Sequence, residues 1–376
     1  MSIYLDHAAT TPVNPAAIQA AWPWLTNEFG NPSSSHELGQ SASKALENSR
    51  SSVAKFFNVR ASQITFTSGG TESDNLAIIG LALARPRGKH IVSSRSEHEA
   101  VLAAIEYLVR VHEFEITWLE LDEFGQVIDF DSALRADTTL VSLMVSNNEI
   151  GTTHPIADLA VKAHAVGALF HTDAVQAVGW QDLDLQKLGV DALSVSGHKF
   201  GAPKGSGILV LGSSIQAEPL IHGGGQESGL RSGTENVAWA VATAIALTEI
   251  NNPAEEANKF EKLRDEFIDT VLNSVQNARL TGHPKLRAPN IASFTFEGVS
   301  GEAVLLELER RGVIVSSGSA CAAGSDEPSH VLLAIGIPPE IAQTSVRFSF
   351  SHETTAQDLE ITAKALISSI GVFTKN

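Results

Sequence analysis

Short apolar runs alternate with longer amphipathic segments through the middle of the chain. The runs that predict β-strands are 64–67, 90–93, 114–121, 140–145, 169–172, 192–195 and 208–211. Most of the gaps between them carry a helical pattern, as in 72–83, 99–111 and 156–165. Strands that alternate with helices predict a mainly parallel sheet with helices on both faces. We therefore expect an α/β domain here.

The last third of the chain has a different rhythm. It predicts strands at 291–296 and 345–350, a helix at 302–311, and a final helix that begins at Thr355 with a capping-box partner at Asp358. A helix with Phe260, Leu263 and Phe267 on one face precedes them. We place the boundary at its start. The predicted domains are a large domain of residues 15–254 and a smaller α+β domain of residues 1–14 and 255–376.

Composition narrows the classes of function. The 376 residues carry a formal net charge of -17, which disfavours nucleic acid or an anionic membrane as a general partner. The longest apolar run, 237–247, is too short to span a bilayer, and no basic leader opens the sequence, so a cytoplasmic location is expected. The single cysteine rules out an internal disulfide. The thirteen histidines show no metal-ligand spacing, so we expect no metal site.

Polar clusters follow five of the predicted strands. They are 68–72, 96–98, 146–151, 173–176 and 196–199. The carboxyl ends of parallel strands meet at one edge of a sheet, where such folds bind their ligands. Five clusters at five strand ends predict a single binding crevice.

Lys199 follows a buried strand directly. A lysine at such a position loses solvation, which lowers its pKa and makes its amine a nucleophile able to form a Schiff base. Ser196 and His198, on the same turn, could hold a phosphate beside it. The alternative is a surface loop that carries two lysines, Lys199 and Lys204.

Three other clusters allow two interpretations each. The segment 68–71 opens a helix and could bind phosphate through its amides, or Thr71 could simply cap that helix. Asp173 could face a protonated pyridine nitrogen, with Gln176 one turn on, or cap the next helix. His98 could stack on a ring or be a solvated residue at a helix start.

Cys321 and Arg347 complete the candidate chemistry. Cys321 lies in a stretch, 316–328, that is rich in Ser, Gly and Ala, which predicts an accessible thiol where an isolated cysteine is usually an inert core residue. Arg347 alternates with apolar residues on a predicted strand. It could bind a carboxylate through two nitrogens or form an internal salt bridge.

Taken together, the motifs resemble the cysteine desulfurases of the NifS/IscS kind, which are pyridoxal-phosphate enzymes of the class V aminotransferase family. The resemblance implies the aspartate-aminotransferase fold, fold type I of these enzymes. It extends over most of the chain, in segments 4–12, 30–36, 67–75, 97–98, 147–151, 171–176, 196–199, 231–236, 316–321 and 345–349.

The resemblance also implies a role for each site residue. Lys199 would bind pyridoxal 5'-phosphate as a Schiff base, Asp173 would pair with its ring nitrogen, and His98 would stack on the ring and act as acid or base. The full predicted cofactor site is Gly70, Thr71, His98, Asp173, Gln176, Ser196, His198, Lys199 and Thr234. Thr234 would come from the second subunit of a homodimer.

The implied reaction converts L-cysteine to L-alanine. Asn148 and Arg347 would bind the substrate carboxylate, and Cys321 would take the sulfur as a persulfide. An acceptor or scaffold protein for iron–sulfur cluster, thio-cofactor or tRNA synthesis would then receive the sulfur. The residues after Cys321, 322–326, are more apolar and acidic than the Ser/Thr-rich form of this loop, which leaves the acceptor open.

Three alternatives to a cysteine desulfurase remain, two that use the same cofactor and one that uses none. Selenocysteine lysis or another class V aminotransferase reaction would use the same site, but an aminotransferase has no use for the Cys321 thiol. The longer form of the Cys321 loop favours sulfur transfer to partner proteins. A non-catalytic scaffold with a degenerate site is the third hypothesis, and it conflicts with the presence of both Lys199 and Asp173.

Overall fold

The computed structural model describes residues 2–84, 86–250, 252–317 and 327–373. Its strands are β1 Ile3–Tyr4, β2 Ile64–Thr67, β3 His90–Ser94, β4 Glu115–Leu121, β5 Val127–Ile128, β6 Thr138–Ser142, β7 Leu169–Asp173, β8 Ala192–Ser196, β9 Gly207–Leu211, β10 Ala278–Leu280, β11 Ile291–Phe296, β12 Val313–Ile314 and β13 Ser345–Ser349. Its α-helices are α1 Pro15–Thr26, α2 Glu37–Phe56, α3 Gly70–Ala84, α4 Glu99–His112, α5 Phe130–Ala133, α6 Ile156–Ala165, α7 Leu185–Leu188, α8 Val237–Thr248, α9 Pro253–Ser274, α10 Gly301–Arg310, α11 His330–Ala334, α12 Pro339–Ala342 and α13 Ala356–Phe373.

Within the described ranges, eight strands form the central sheet in the order β2-β9-β8-β7-β6-β3-β4-β5. The pairs from β8 through β7, β6 and β3 to β4 are parallel. β9 is antiparallel to both β8 and β2, so β2 runs in the same direction as β8. The carboxyl ends of β2, β3, β6, β7 and β8 therefore share one edge, as the sequence predicted.

Alternate residues of this sheet face two separate cores. Ile91 and Leu140 pack with helices α3 and α4, whereas Val92 and Val141 pack with α6 on the other face. Successive side chains of a strand point to opposite faces, and both faces are apolar because helices cover both. The predicted α/β architecture is confirmed.

The C-terminal part has its own antiparallel sheet, β10-β11-β13. Its core is rich in phenylalanine, with Phe267 in edge-to-face contact with Phe294 and Phe348. Leu5 from the start of the chain lies in the same core, because β1 pairs with β12. Trp180 also reaches this core. The domain boundaries at residues 14/15 and 254/255 stay a prediction.

Candidate active site

Lys199 lies on a turn that leaves the buried strand β8. The turn, Gly197–Lys199, is a single 3-10 turn, and only glycine fits its first position, since a Cβ on Gly197 would lie 2.1 Å from the hydroxyl of Ser206. The half-buried Nζ of Lys199 donates to the backbone carbonyls of Ala8 and Ala9, at 2.8 Å in the second case. The amine is therefore held at the edge of the sheet.

Asp173 ends the neighbouring strand β7. Its side chain is buried, and its Oδ1 accepts a hydrogen bond from the amide of Val175 at 2.8 Å. Burial raises the pKa of Asp173, while the nearby His98, the Val175 amide and Lys199 act to lower it. Because β3, β7 and β8 end at the same edge of the sheet, His98, Asp173 and Lys199 lie at that edge. The Val175 contact closes a turn and is not the predicted helix cap, because residues 175–180 form turns and the next helix, α7, begins only at Leu185.

His98 is the N-cap residue of α4. Its Nδ1 accepts a hydrogen bond from the amide of Ala100 at 3.1 Å, so a neutral His98 carries its hydrogen on Nε2. The preceding Glu97 is fully buried and accepts a hydrogen bond from the Met144 amide at 2.8 Å. That contact attaches the segment before α4 to the chain just after β6, and this attachment helps to fix the position of the His98 imidazole.

The N-terminal arm lies across the site. Gln176 donates from Nε2 to the Ala8 carbonyl at 3.0 Å, and His198 shares a 3.1 Å hydrogen bond with the Thr10 hydroxyl. Burial, with Lys199 and Lys204 nearby, lowers the pKa of His198 to about 4. Sequence reasoning assigned no role to the arm. Ala8 and Ala9 gave no signal because they act through backbone carbonyls, whereas the Thr10 hydroxyl is a polar group that could have been considered.

The predicted phosphate residues occupy the start of α3 and the end of β8. A Cβ on Gly70 would lie 3.2 Å from the Cβ of Ser196, so the two residues are adjacent. Thr71 is exposed at the first turn of α3. In the same region, Glu72 accepts hydrogen bonds from the Ser68 amide at 2.8 Å and from Arg231 at 2.9 Å.

Thr234 lies apart from this group. It is exposed and lines a cavity of about 290 Å³ with Ser68, Gly205 and Arg231. Among the described residues that line this cavity, neither Lys199 nor Asp173 is found. That Thr234 serves a second copy of the chain stays a prediction.

Arg347 and Asn148 are brought together. The guanidinium is 1% exposed and donates from Nη1 to the Asn148 carbonyl and from Nη2 to Asp6 Oδ1, at 2.8 Å each. Its Nε has no hydrogen-bond partner within the described part of the chain. The internal salt bridge that the sequence left as an alternative therefore exists.

Cys321 lies outside the described residues, but both flanks of its segment are tied to the site. Ser316 pairs with Arg347 through backbone hydrogen bonds of 2.7 and 3.3 Å. On the other side, Ser329 donates to the buried carboxylate of Glu149, and His330 bonds to the Glu97 carbonyl at 3.0 Å. The chain before and after the cysteine is thus attached beside Asn148 and His98.

No group of three or more His, Cys, Asp or Glu side chains in the described ranges is arranged to hold a metal ion. None of the helices in those ranges is both long and apolar enough to cross a membrane.

The chain is similar to known proteins in both sequence and structure. Residues 3–361 match the family described as Aminotransferase class-V. A relative from Dictyoglomus turgidum, named cysteine desulfurase IscS, is 45% identical over 371 residues, which cover 97% of this chain and 93% of the relative. Among solved structures, a NifS-like protein is 34% identical with a TM-score of 0.91, covering 99% of this chain and all of the other. A structure described as SspA in complex with cysteine is 33% identical, with a TM-score of 0.82 and coverage of 94% and 100%.

Proposed function

The chain belongs to the class-V aminotransferase family, among its cysteine desulfurases, and we propose that it converts L-cysteine to L-alanine and passes the sulfur to Cys321 as a persulfide. One observation carries the proposal. Lys199 follows β8, Asp173 ends β7 and His98 lies after β3, and the carboxyl ends of these three strands share one edge of the sheet. That is the ligand-binding edge of such sheets.

The residues present fit pyridoxal 5'-phosphate, the cofactor of this enzyme family. Asp173 is a buried carboxylate that faces cations, as a protonated ring nitrogen would require. Lys199 would bind the aldehyde, and Gln176 would bond the ring hydroxyl. Gly70, Thr71, Ser196 and His198 would hold the phosphate at the start of α3. When bound, this cofactor supplies an electron sink for the substrate carbon.

Residues of the chain would then bind and orient the substrate and transfer its protons. Arg347 and Asn148, which contact each other, would hold the substrate carboxylate. Lys199 would carry protons to and from the substrate carbon, and His98 would donate or accept at Nε2. The Arg347–Asp6 salt bridge links this region to the N-terminal arm.

Cys321 would receive the sulfur. Its thiolate attacks the substrate sulfur, so an S–S bond forms as the C–S bond breaks. The electron pair stays on the substrate carbon, which takes a proton to give alanine. Cysteine and a thiol thus become alanine and a persulfide, with no outside oxidant. The tethering of Ser316 and Ser329 beside the site supports this role.

We further propose that the protein works as a homodimer in the cytoplasm. Trp22, Leu25 and Phe29 are exposed apolar residues of α1 and the loop after it, with Phe29 72% exposed, and such patches mark interfaces. Thr234 would reach the partner's phosphate site. The sulfur would pass to an acceptor or scaffold protein for iron–sulfur cluster, thio-cofactor or tRNA synthesis.

A product assay tests the proposed function. Purified protein with pyridoxal phosphate should be yellow, and with L-cysteine and a reductant it should form alanine and sulfide in equal amounts. An aminotransferase would instead need a 2-oxo acid and leave the sulfur on the substrate carbon. A selenocysteine lyase would prefer selenocysteine. Protein that stays colourless when the cofactor is added would exclude all three and support a non-catalytic scaffold.

A further inference from the structure

Three carboxyl groups are buried close together beneath the strand ends. Asp74 on α3, Glu97 before α4 and Asp173 on β7 have exposures of 1%, 0% and 6%. The proposed function uses only Asp173. Burying an unpaired carboxylate costs free energy, and neighbouring carboxyl groups cannot all be ionised at once. Some members of the cluster must therefore hold a proton more tightly than others.

Asp74 lies against a chain of polar groups that crosses three strands. The ring of His171 on β7 forms 2.9 Å hydrogen bonds to Ser142 on β6 through Nδ1 and to Ser194 on β8 through Nε2. The Asp74 Oδ1 atom lies 3.7 Å from His171 Nε2, and it has no hydrogen-bond partner among the described residues. A buried, ionised carboxylate oxygen rarely lacks a hydrogen-bond donor.

His171 does not compensate a charge on Asp74. Complete burial lowers the pKa of His171 to about 3, so the ring is neutral at physiological pH. A neutral imidazole has one donor and one acceptor, and the hydroxyls of Ser142 and Ser194 can turn to satisfy both. The polar chain is therefore complete without a cation beside Asp74.

The basic side chains of the site act on Asp173 instead. Lys199 and His98 favour the ionised form of Asp173. Burial, and then the charge of Asp173, raise the pKa of Asp74 well above its usual range, although a hydrogen bond from Ser194 lowers it. Burial also raises the pKa of Glu97, with the Met144 amide opposing this and Asp173 adding to it. Of the three carboxyl groups, Asp173 is therefore the one whose ionisation is favoured by Lys199 and His98.

We propose that Asp74 is a positioning residue that retains its proton in the folded protein, and that with Ser194 and His171 it keeps the negative charge of the cluster on Asp173. The inference rests on the proposed role of Asp173 toward the cofactor ring nitrogen. It adds a residue that acts through Asp173 and touches neither substrate nor cofactor.

Thermal unfolding of the apoprotein tests the proton on Asp74. A raised folded pKa destabilises the fold at pH values above the unfolded pKa of about 3.9, because folding there requires that the carboxyl take up a proton or bury its charge; this cost disappears below that pH. Asp74→Asn keeps the shape and the neutral charge. The variant should melt about 2 °C or more above the wild type at pH 8, and the difference should shrink toward zero as the pH falls to about 4.

Asp269→Asn, at an exposed site on α9, is the matched control and should show no such pH-dependent difference. If Asp74→Asn melts below the wild type at pH 8, or if the difference does not change with pH, Asp74 is ionised or only structural and the proposal is overturned. These melting curves need no turnover, so their outcome is independent of the proposed desulfurase activity.

Infrared spectra of the wild-type apoprotein give a second measurement if the variant fails to fold. Protein labelled with carboxyl-¹³C aspartate should show, at pH 8, an isotope-shifted carbonyl band of a protonated carboxylic acid. If the Asp74→Asn variant folds, its spectrum should lack this carbonyl band, whereas the spectrum of Asp269→Asn should retain it. Absence of a protonated aspartate band from the wild type would refute the proposal.

Discussion

Lys199→Ala should abolish turnover of L-cysteine. The proposed site needs this amine twice, to attach the cofactor and to move protons at the substrate carbon. Removal of one positioned acid or base already costs on the order of 10²–10⁴-fold in rate, so we expect a loss of about 10³-fold or more. The protein should also lose the yellow colour of the bound cofactor. Absorbance and alanine formation measure the two effects.

Lys204→Ala is the matched control. Lys204 is exposed five positions later on the same loop, whereas Lys199 bonds to the carbonyls of Ala8 and Ala9. The Lys204 variant should remain yellow and active. Full activity in Lys199→Ala, with loss in Lys204→Ala, would transfer the covalent attachment to Lys204 and contradict the proposed site.

Cys321→Ser should separate the two halves of the proposed reaction. The cofactor site does not include the thiol, so the variant should bind pyridoxal phosphate and turn yellow. It should, however, form no persulfide and transfer no sulfur, because a serine hydroxyl cannot hold it. Since Cys321 is the only cysteine in the chain, a thiol reagent should modify one group in the wild type and none in the variant.

Sulfide release measures this loss. With L-cysteine and a reductant, the wild type should release sulfide continuously, whereas Cys321→Ser should release none above the rate without enzyme. Thermal unfolding should be equal for the two proteins. Undiminished sulfide and alanine formation by the variant would show that the thiol is not the sulfur acceptor.

Much of the fold could be predicted because its signals are local. The alternation of apolar runs and helical patterns predicted seven of the eight strands that the described residues place in the central sheet, and missed only the two-residue strand β5. The Thr355–Asp358 capping box is present, with the Thr355 amide 2.9 Å from Asp358. The predicted family resemblance is also confirmed by the match over residues 3–361. Periodicity and caps depend on neighbouring residues, which a sequence displays directly.

Elements that depend on distant contacts were not predicted. Helix α1 was missed because it contains Pro23, and packing against α8 stabilises it. The sequence itself shows a helical pattern only from about residue 42 to residue 57, whereas helix α2 begins at Glu37, where Gly39 packs closely on Ser34. Glycine and proline are weak helix formers, so tertiary packing decided both cases against local propensity.

The site divides in the same way. Lys199, Asp173 and His98 follow strands, so sequence alone predicted that they would lie at one edge. Asp74 gave no such signal because it lies inside α3, and only burial against His171 distinguishes it from an exposed helix residue. The contribution of Ala8 and Ala9 is likewise visible only in the folded chain, since any residue could supply their carbonyls.

The path of the sulfur atom tests the central claim most directly. The protein is mixed with sulfur-labelled L-cysteine without reductant, digested, and the Cys321 peptide is examined by mass spectrometry. Our account predicts one added sulfur atom on Cys321, carrying the label, with one alanine formed per chain in the same time and neither product in Lys199→Ala. Alanine formed without labelled sulfur on Cys321 would contradict it.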